Sequence, residues 1–167
     1  MIIAHLTQAP QGRLDLLAAG LARRAGIDGV HVDPMVVRLA AVALGDRLSL
    51  VTDAVAALGA PPGSGTLGSL AVDVAPADLS VRLADGTLAG STLALDRAVR
   101  NAMAFAGLDL AAAVRAVTAT PASVLGLTDR GAVVAGAVAD LVLLTPQAEV
   151  VATVVGGRVV HDTRRVA

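Results

Sequence analysis

Gly26-Ile27-Asp28-Gly29-Val30-His31-Val32-Asp33-Pro34 sets how the rest of the chain is read, because a short β-type run here ends at an Asp-Pro pair. Asp33 can accept N–H bonds at the head of a helix, and Pro34 suits the first turn, where its missing N–H is not needed. Residues 35–44 then carry Val36, Leu39, Ala40 and Ala43 at the i, i+3, i+4, i+7 spacing of a buried helical stripe, and Gly45 closes the element. Arg47-Leu48-Ser49-Leu50-Val51-Thr52-Asp53 reads as a second strand that runs straight into an Asp. Strand, helix, strand predicts a parallel βαβ unit.

Working outward, residues 54–68 read as a loop containing Pro61-Pro62-Gly63. Leu70-Ala71-Val72-Asp73-Val74 and Leu79-Ser80-Val81-Arg82-Leu83 alternate around Pro76 like an inserted hairpin. Asp85-Gly86-Thr87-Leu88-Ala89-Gly90-Ser91 is turn-rich, and Ser91 is expected to cap a long helix with Leu95, Val99, Ala102 and Ala106 on one face and Gly107 at its end. Asp109 starts the next helix, through Val114 and Val117, and Thr120-Pro121 begins a short one ending near Gly126. After Gly131 the texture is β: Asp140-Leu141-Val142-Leu143-Leu144, then Val150–Val155, Gly156-Gly157 and Arg158-Val159-Val160, with the Gly pair as a hairpin turn. A soft boundary falls near residue 130, giving an α/β part over 1–130 and a β segment over 131–167.

Composition narrows the chemistry. Of 167 residues, 55% are hydrophobic and Phe105 is the one aromatic, so the core is built from small and branched aliphatics. A formal charge of −1 and the lack of aromatic stacking faces argue against nucleic acid as a partner. There is no cysteine, which excludes disulfides and thiolate ligands, and no lysine, which excludes Schiff-base chemistry. No apolar run reaches membrane-spanning length and the first residues lack a secretory pattern, so the expectation is a soluble cytoplasmic protein.

Functional side chains of parallel α/β folds stand at the C-terminal ends of strands. His31 and Asp53 fit that rule and would meet at one rim; equally, His31 can hydrogen-bond a loop and Asp53 can cap a turn. His5 follows the apolar Ile2-Ile3-Ala4, and Arg13 lies in Gln11-Gly12-Arg13; a strand-end ligand and an anion clamp are open to them, as are a structural His and a solvated Arg.

Three stretches together resemble the N-acetylglucosamine-6-phosphate deacetylases: Asp28-Gly29-Val30-His31-Val32-Asp33-Pro34, Leu50-Val51-Thr52-Asp53-Ala54, and Leu83-Ala84-Asp85-Gly86-Thr87-Leu88-Ala89-Gly90-Ser91. A fourth, Thr120-Pro121-Ala122-Ser123-Val124-Leu125-Gly126-Leu127 followed by Gly136-Ala137-Val138-Ala139-Asp140-Leu141-Val142-Leu143-Leu144, is similar to the tail of the wider amidohydrolase superfamily. The resemblance implies the last strand-helix units of a (β/α)8 TIM barrel, which when complete takes about 250 residues, followed by the C-terminal strands of a small β-sandwich. It implies that Asp53 is the catalytic residue, taking a proton from a metal-bound water and returning it to the departing amine. His31, presented by Asp28, Gly29 and Val30, is implied to contact substrate, Leu88, Ala89 and Gly90 to close over the sugar, and Arg13 to hold the 6-phosphate. His5 is the one residue that could match a metal ligand, although the residues after it in the family, an Asn among them, have no counterpart here.

The complete family enzyme is expected to use zinc or a similar divalent metal. This chain, with one candidate ligand where a catalytic zinc takes about three from protein, is expected to bind none by itself and to need an upstream half, or else to form homo-oligomers through its open edge. The implied reaction is hydrolysis of an amino-sugar phosphate to glucosamine-6-phosphate and acetate. The alternatives are another amidohydrolase, such as a cyclic amidase or a deaminase, and a non-catalytic fragment or binding module.

Overall fold

Asp33 and Pro34 do what their chemistry suggests. In the computed structural model, which describes residues 27, 29, 30, 32–61, 63–75 and 79–165, helix α1 spans Pro34–Leu44. The Asp33 carboxylate accepts the Met35 N–H at 2.8 Å, and Gly45 ends the helix at a φ of 53°. The buried face is set by Val37 and Ala41 with Val36, Ala40 and Leu44 beside them. Leu39, expected inside, is 56% exposed, and Ala43 is exposed too. A helix as uniformly apolar as this one offers more than one stripe at helical spacing, and tertiary packing selects between them.

The flanking strands expected around α1 do not form ladders over the described residues. Ile27, Gly29, Val30 and Val32 lie in turns and bends, with Gly29 at a φ of 85° that breaks an extended path. Gly45–Arg47 is a 3-10 turn rather than the start of a strand. Residues 48–53 run in extended and single-bridge form and join neither sheet described below, so no parallel ladder flanks α1 among the described residues, while Asp28 and His31 of the first expected strand lie outside them. Strand character needs a hydrogen-bonded neighbour, and the Leu50 N–H donates instead to the Ala116 carbonyl at 2.9 Å. Leu48 and Leu50 still point into the main core, in keeping with period-two alternation.

What reads as a loop and one hairpin is a four-stranded antiparallel meander in chain order: β1 Gly63–Leu67, β2 Leu70–Ala75, β3 Ser80–Leu83 and β4 Leu88–Ser91. The expected hairpin is its centre, with Val74 opposite Val81. β1 lies within the stretch assigned to loop: Gly-Ser-Gly-Thr has little strand preference, but Gly68, at a φ of 61°, turns the chain so that Leu67 faces Leu70 and β2 supplies the ladder. Val72, Val74 and Val81 form a small core with Ala57.

Helix α2, Leu95–Ala106, buries Ala98, Val99 and Ala102, while Leu95 at its first turn is exposed. Its N-cap is Ala94, with no side-chain bond, so the predicted Ser91 cap is displaced: Ser91 is the last residue of β4. Gly107, at a φ of 69°, ends α2 as expected. α3, Leu110–Arg115, starts at Asp109, whose carboxylate accepts the Ala112 N–H at 2.7 Å, and stops short of Val117; α4 is Ala119–Val124. The main core joins α1, α2 and α3 with Ile27, Leu48, Leu50 and Leu93.

The final three strands form a second antiparallel sheet, β5 Leu141–Leu144, β6 Val150–Val155 and β7 Arg158–Asp162. Gly156 and Gly157 have φ values of 53° and 79°, the left-handed pair that a tight two-residue hairpin requires. The β5–β6 turn inserts Ala148, 0% exposed, into the main core, where its carbonyl accepts from the Arg100 guanidinium at 2.8 Å.

Candidate functional site

Asp53 stands where the extended run over residues 48–53 leaves the core. Thr52 is buried, and its hydroxyl accepts the Ala54 N–H at 3.1 Å, closing a tight local turn around Asp53. Asp53 itself sits at a φ of 53°, a left-handed conformation that Asp tolerates better than most residues, and it is exposed. The buried Thr52 thus anchors a turn that carries the carboxylate-bearing residue at the surface.

The other wall of this turn is β4. The Ser91 N–H donates to the Asp53 carbonyl at 2.9 Å, and the Val55 N–H donates to the Ser91 carbonyl at 3.0 Å. Together they make a parallel bridge between Ala54 and Ser91. Gly90 has no room for a side chain: an added Cβ would lie 2.5 Å from Val55 Cγ1 and 3.1 Å from the Asp53 carbonyl, at a φ of 124° that itself favours glycine. The Asp53 turn is therefore bonded to the end of β4 at Ser91 and lies close against Gly90, although 35 positions separate Asp53 from Leu88 at the start of that strand. Leu88, Ala89 and Gly90, expected in a loop, lie in a strand that is exposed at Leu88 and buried at Gly90.

The turn before β4 is held by Asp85, whose carboxylate accepts the Thr87 N–H at 2.9 Å. That backbone N–H, aided by the Thr87 hydroxyl, holds the Asp85 carboxyl below the usual aspartate range. Arg82 completes the turn by donating to the Gly86 carbonyl at 3.0 Å.

Of the remaining candidates, Gly29 and Val30 stand on the segment that packs against α2. Asn101 donates to the Ile27 carbonyl at 2.6 Å, and a Cβ on Gly29 would lie 3.6 Å from the Phe105 ring. His5, Arg13, Asp28 and His31 lie outside the described residues. Among the described residues no group of three or more His, Cys, Asp and Glu is placed to hold a metal ion. No helix among them is long and apolar enough to cross a membrane.

Two residues of this site escape a sequence reading. Thr52 reads as strand and Ser91 as a helix cap, yet both fix the turn around Asp53. The pattern Thr-Asp-Ala is the one local clue, since a hydroxyl two residues before an N–H commonly closes such turns.

Comparison with known proteins places this geometry in context. A family model described as the amidohydrolase family matches residues 5–160. The N-acetylglucosamine-6-phosphate deacetylase of Haemophilus influenzae is 34% identical over 133 residues, which cover 79% of this chain and 35% of that protein. The crystal structure of N-acetylglucosamine-6-phosphate deacetylase from Thermotoga maritima superposes with a TM-score of 0.75 at 39% identity, over 82% of this chain and 38% of that one. An aspartate-to-alanine mutant of the Mycobacterium smegmatis enzyme, solved in complex with N-acetyl-D-glucosamine-6-phosphate, gives a TM-score of 0.73 at 40% identity, over 80% of this chain and 36% of that one. The chain thus spans about a third of the length of these relatives, and its α/β architecture follows theirs over the part that matches. With the family model spanning all but the first few and last few residues, the chain belongs to the amidohydrolase family.

Proposed function

We propose that this chain is the C-terminal portion of an N-acetylglucosamine-6-phosphate deacetylase, hydrolysing the acetamide of the sugar phosphate to glucosamine-6-phosphate and acetate. In this reading residues 1–130 belong to a (β/α)8 barrel and 131–167 to a small sandwich domain, each completed by an upstream portion. The observation that supports it is the backbone contact between the Asp53 turn and Ser91 at the end of β4, which joins the residue read as proton acceptor to the strand of Leu88, Ala89 and Gly90, read by family likeness as covering the sugar.

The chemistry assigned to this chain is proton transfer and substrate enclosure. Asp53, exposed at the end of its run, accepts a proton from the water that attacks the acetamide carbonyl and returns it to the nitrogen as the C–N bond breaks. Gly90, with no side chain, lets the backbone of β4 approach a ligand. Arg13 is assigned to the 6-phosphate, where a guanidinium can bond bidentately. His31, presented by Asp28, Gly29 and Val30, is assigned to the substrate. The divalent metal that the family implies does not fit the described residues, which hold no cluster of three ligand side chains. With His5 the single candidate ligand, the metal falls to the upstream portion, and no step is routed through it here. A phosphorylated amino sugar also accords with a cytoplasmic enzyme.

The test is reconstitution. The chain, joined to or mixed with the upstream portion of a relative, is expected to release acetate from N-acetylglucosamine-6-phosphate. Asp53→Asn is expected to lower kcat by about 10²–10⁴-fold with the fold intact, the range typical of losing a general acid-base group. Wild-type turnover in Asp53→Asn, or turnover of cyclic amides with none of the sugar phosphate, would overturn the proposal.

A further inference from the structure

Four hydrogen bonds converge on Ser91. Its N–H donates to the Asp53 carbonyl at 2.9 Å and its carbonyl accepts from Val55 at 3.0 Å, while its hydroxyl donates to the Leu79 carbonyl at 3.1 Å and accepts the Leu93 N–H at 3.0 Å. The residue is fully buried. It therefore ties together the Asp53 turn, the start of β3 and the entry to α2, directly after the Leu88-Ala89-Gly90 stretch.

We infer that Ser91 is a positioning residue for Asp53: its hydroxyl pins the end of β4, and its amide then holds the Asp53 carbonyl and with it the left-handed turn that aims the carboxylate. The inference rests on the reading of Asp53 as the proton acceptor. Two features single out the hydroxyl. Leu79 would not miss it, because the Thr92 N–H at 2.8 Å and the Thr92 hydroxyl at 3.3 Å also donate to the Leu79 carbonyl. Leu93 would, since it is fully buried and among the described residues its N–H is accepted by the Ser91 hydroxyl oxygen, so removing the hydroxyl leaves an interior N–H unpaired. The damage then falls on residues 91–93, adjacent to the bond that holds Asp53. Gly90 adds a second constraint, since its contact with Val55 leaves this stretch no slack on that side.

The experiment compares four variants in the reconstituted enzyme. Ser91→Ala is expected to lower kcat roughly tenfold or more with KM within about twofold, because displacing a reacting group by about 1 Å can cost about 10²-fold in rate. Ser91→Cys, nearly isosteric and a weak hydrogen-bonding group, is expected to fall between wild type and Ser91→Ala, and it reports the effect if Ser91→Ala fails to fold. Thr92→Val removes a hydroxyl from the same Leu79 carbonyl without touching Asp53; it is expected to lower the melting temperature while kcat stays at the wild-type value. Wild-type kcat in both Ser91 variants, or equal kcat losses in Ser91→Ala and Thr92→Val, would overturn the positioning role. Asp53→Asn separates the two ideas: inactive Asp53→Asn beside fully active Ser91 variants sinks the positioning role alone, whereas fully active Asp53→Asn sinks the underlying reading. In the chain by itself, amide exchange at Val55 is expected to speed up in Ser91→Ala and not in Thr92→Val; equal exchange in the two variants counts against the inference.

Discussion

The two antiparallel sheets make opposite use of their sequences. The terminal sheet, β5–β7, is written in Leu and Val and turned by a Gly pair, yet many of its apolar side chains face outward: Val142, Leu143, Val155, Val159 and Val160 are all exposed. The meander, β1–β4, contains Gly-Ser-Gly-Thr and Leu-Ala-Gly-Ser, among the weakest strand sequences in the chain, yet it closes a small core and bonds to the Asp53 turn. Burying a Val or Leu completely is worth about 1.5–3 kcal/mol, and the terminal sheet leaves much of that unrealised. Strand propensity marks where a sheet forms; which sheet meets the Asp53 turn is decided by close backbone approach, which small residues allow and bulky ones forbid.

The comparison breaks most readily at Gly90. Gly90→Ala is expected to destabilise the chain by about 2–4 kcal/mol, the class of a core clash combined with an unfavourable backbone angle. Urea denaturation measures it, and a loss below about 1 kcal/mol would mean that the meander is not pressed against the Asp53 turn. Next in size is the joint of the terminal sheet. Arg100→Met removes the bond to the Ala148 carbonyl and the ion pair with Asp96, and is expected to cost about 1–2 kcal/mol. Amide exchange should quicken in β5 and β6 and hold steady in β2 and β3; equal quickening in both sheets would erase the distinction between them.

The smallest effect is a pH response confined to the meander. Asp85 has a depressed pKa in the folded chain because the Thr87 N–H bonds its carboxylate. Its contribution to stability is present in full above the ordinary aspartate value of 3.8 and is lost as pH falls through the lowered folded value. Amide exchange at Thr87 should therefore rise in that acid window in the native chain and show no such step in Asp85→Asn. A step that persists in Asp85→Asn would assign the response to another carboxylate.

Local chemistry was legible wherever one side chain acts on its own neighbourhood. Asp33 and Asp109 as helix caps, Gly107 as a stop and Gly156-Gly157 as a hairpin turn all follow from residue type. What escaped depends on distant partners. β1 is a strand because β2 lies alongside, and residues 48–53, with a stronger β pattern, join no sheet among the described residues because they lack a ladder neighbour there. Leu39 is exposed because α1 is apolar on several sides and α2 packs against only one of them. At the site, Asp53 could be singled out as a polar residue ending a β-type run. The hydrogen bonds of Ser91 could not be read in the same way, since its four partners span residues 53–93 and only Leu93 lies near it in sequence.

The parallel bridge between Ala54 and Ser91 also bears on how such chains can be recombined. A graft that imports residues 63–91 from a relative while keeping the native 52–55 would cut through a hydrogen-bonded joint and mismatch both halves. The exchangeable cassette has to begin before Thr52 and end after Leu93, so that aspartate, glycine and serine travel as one inherited unit.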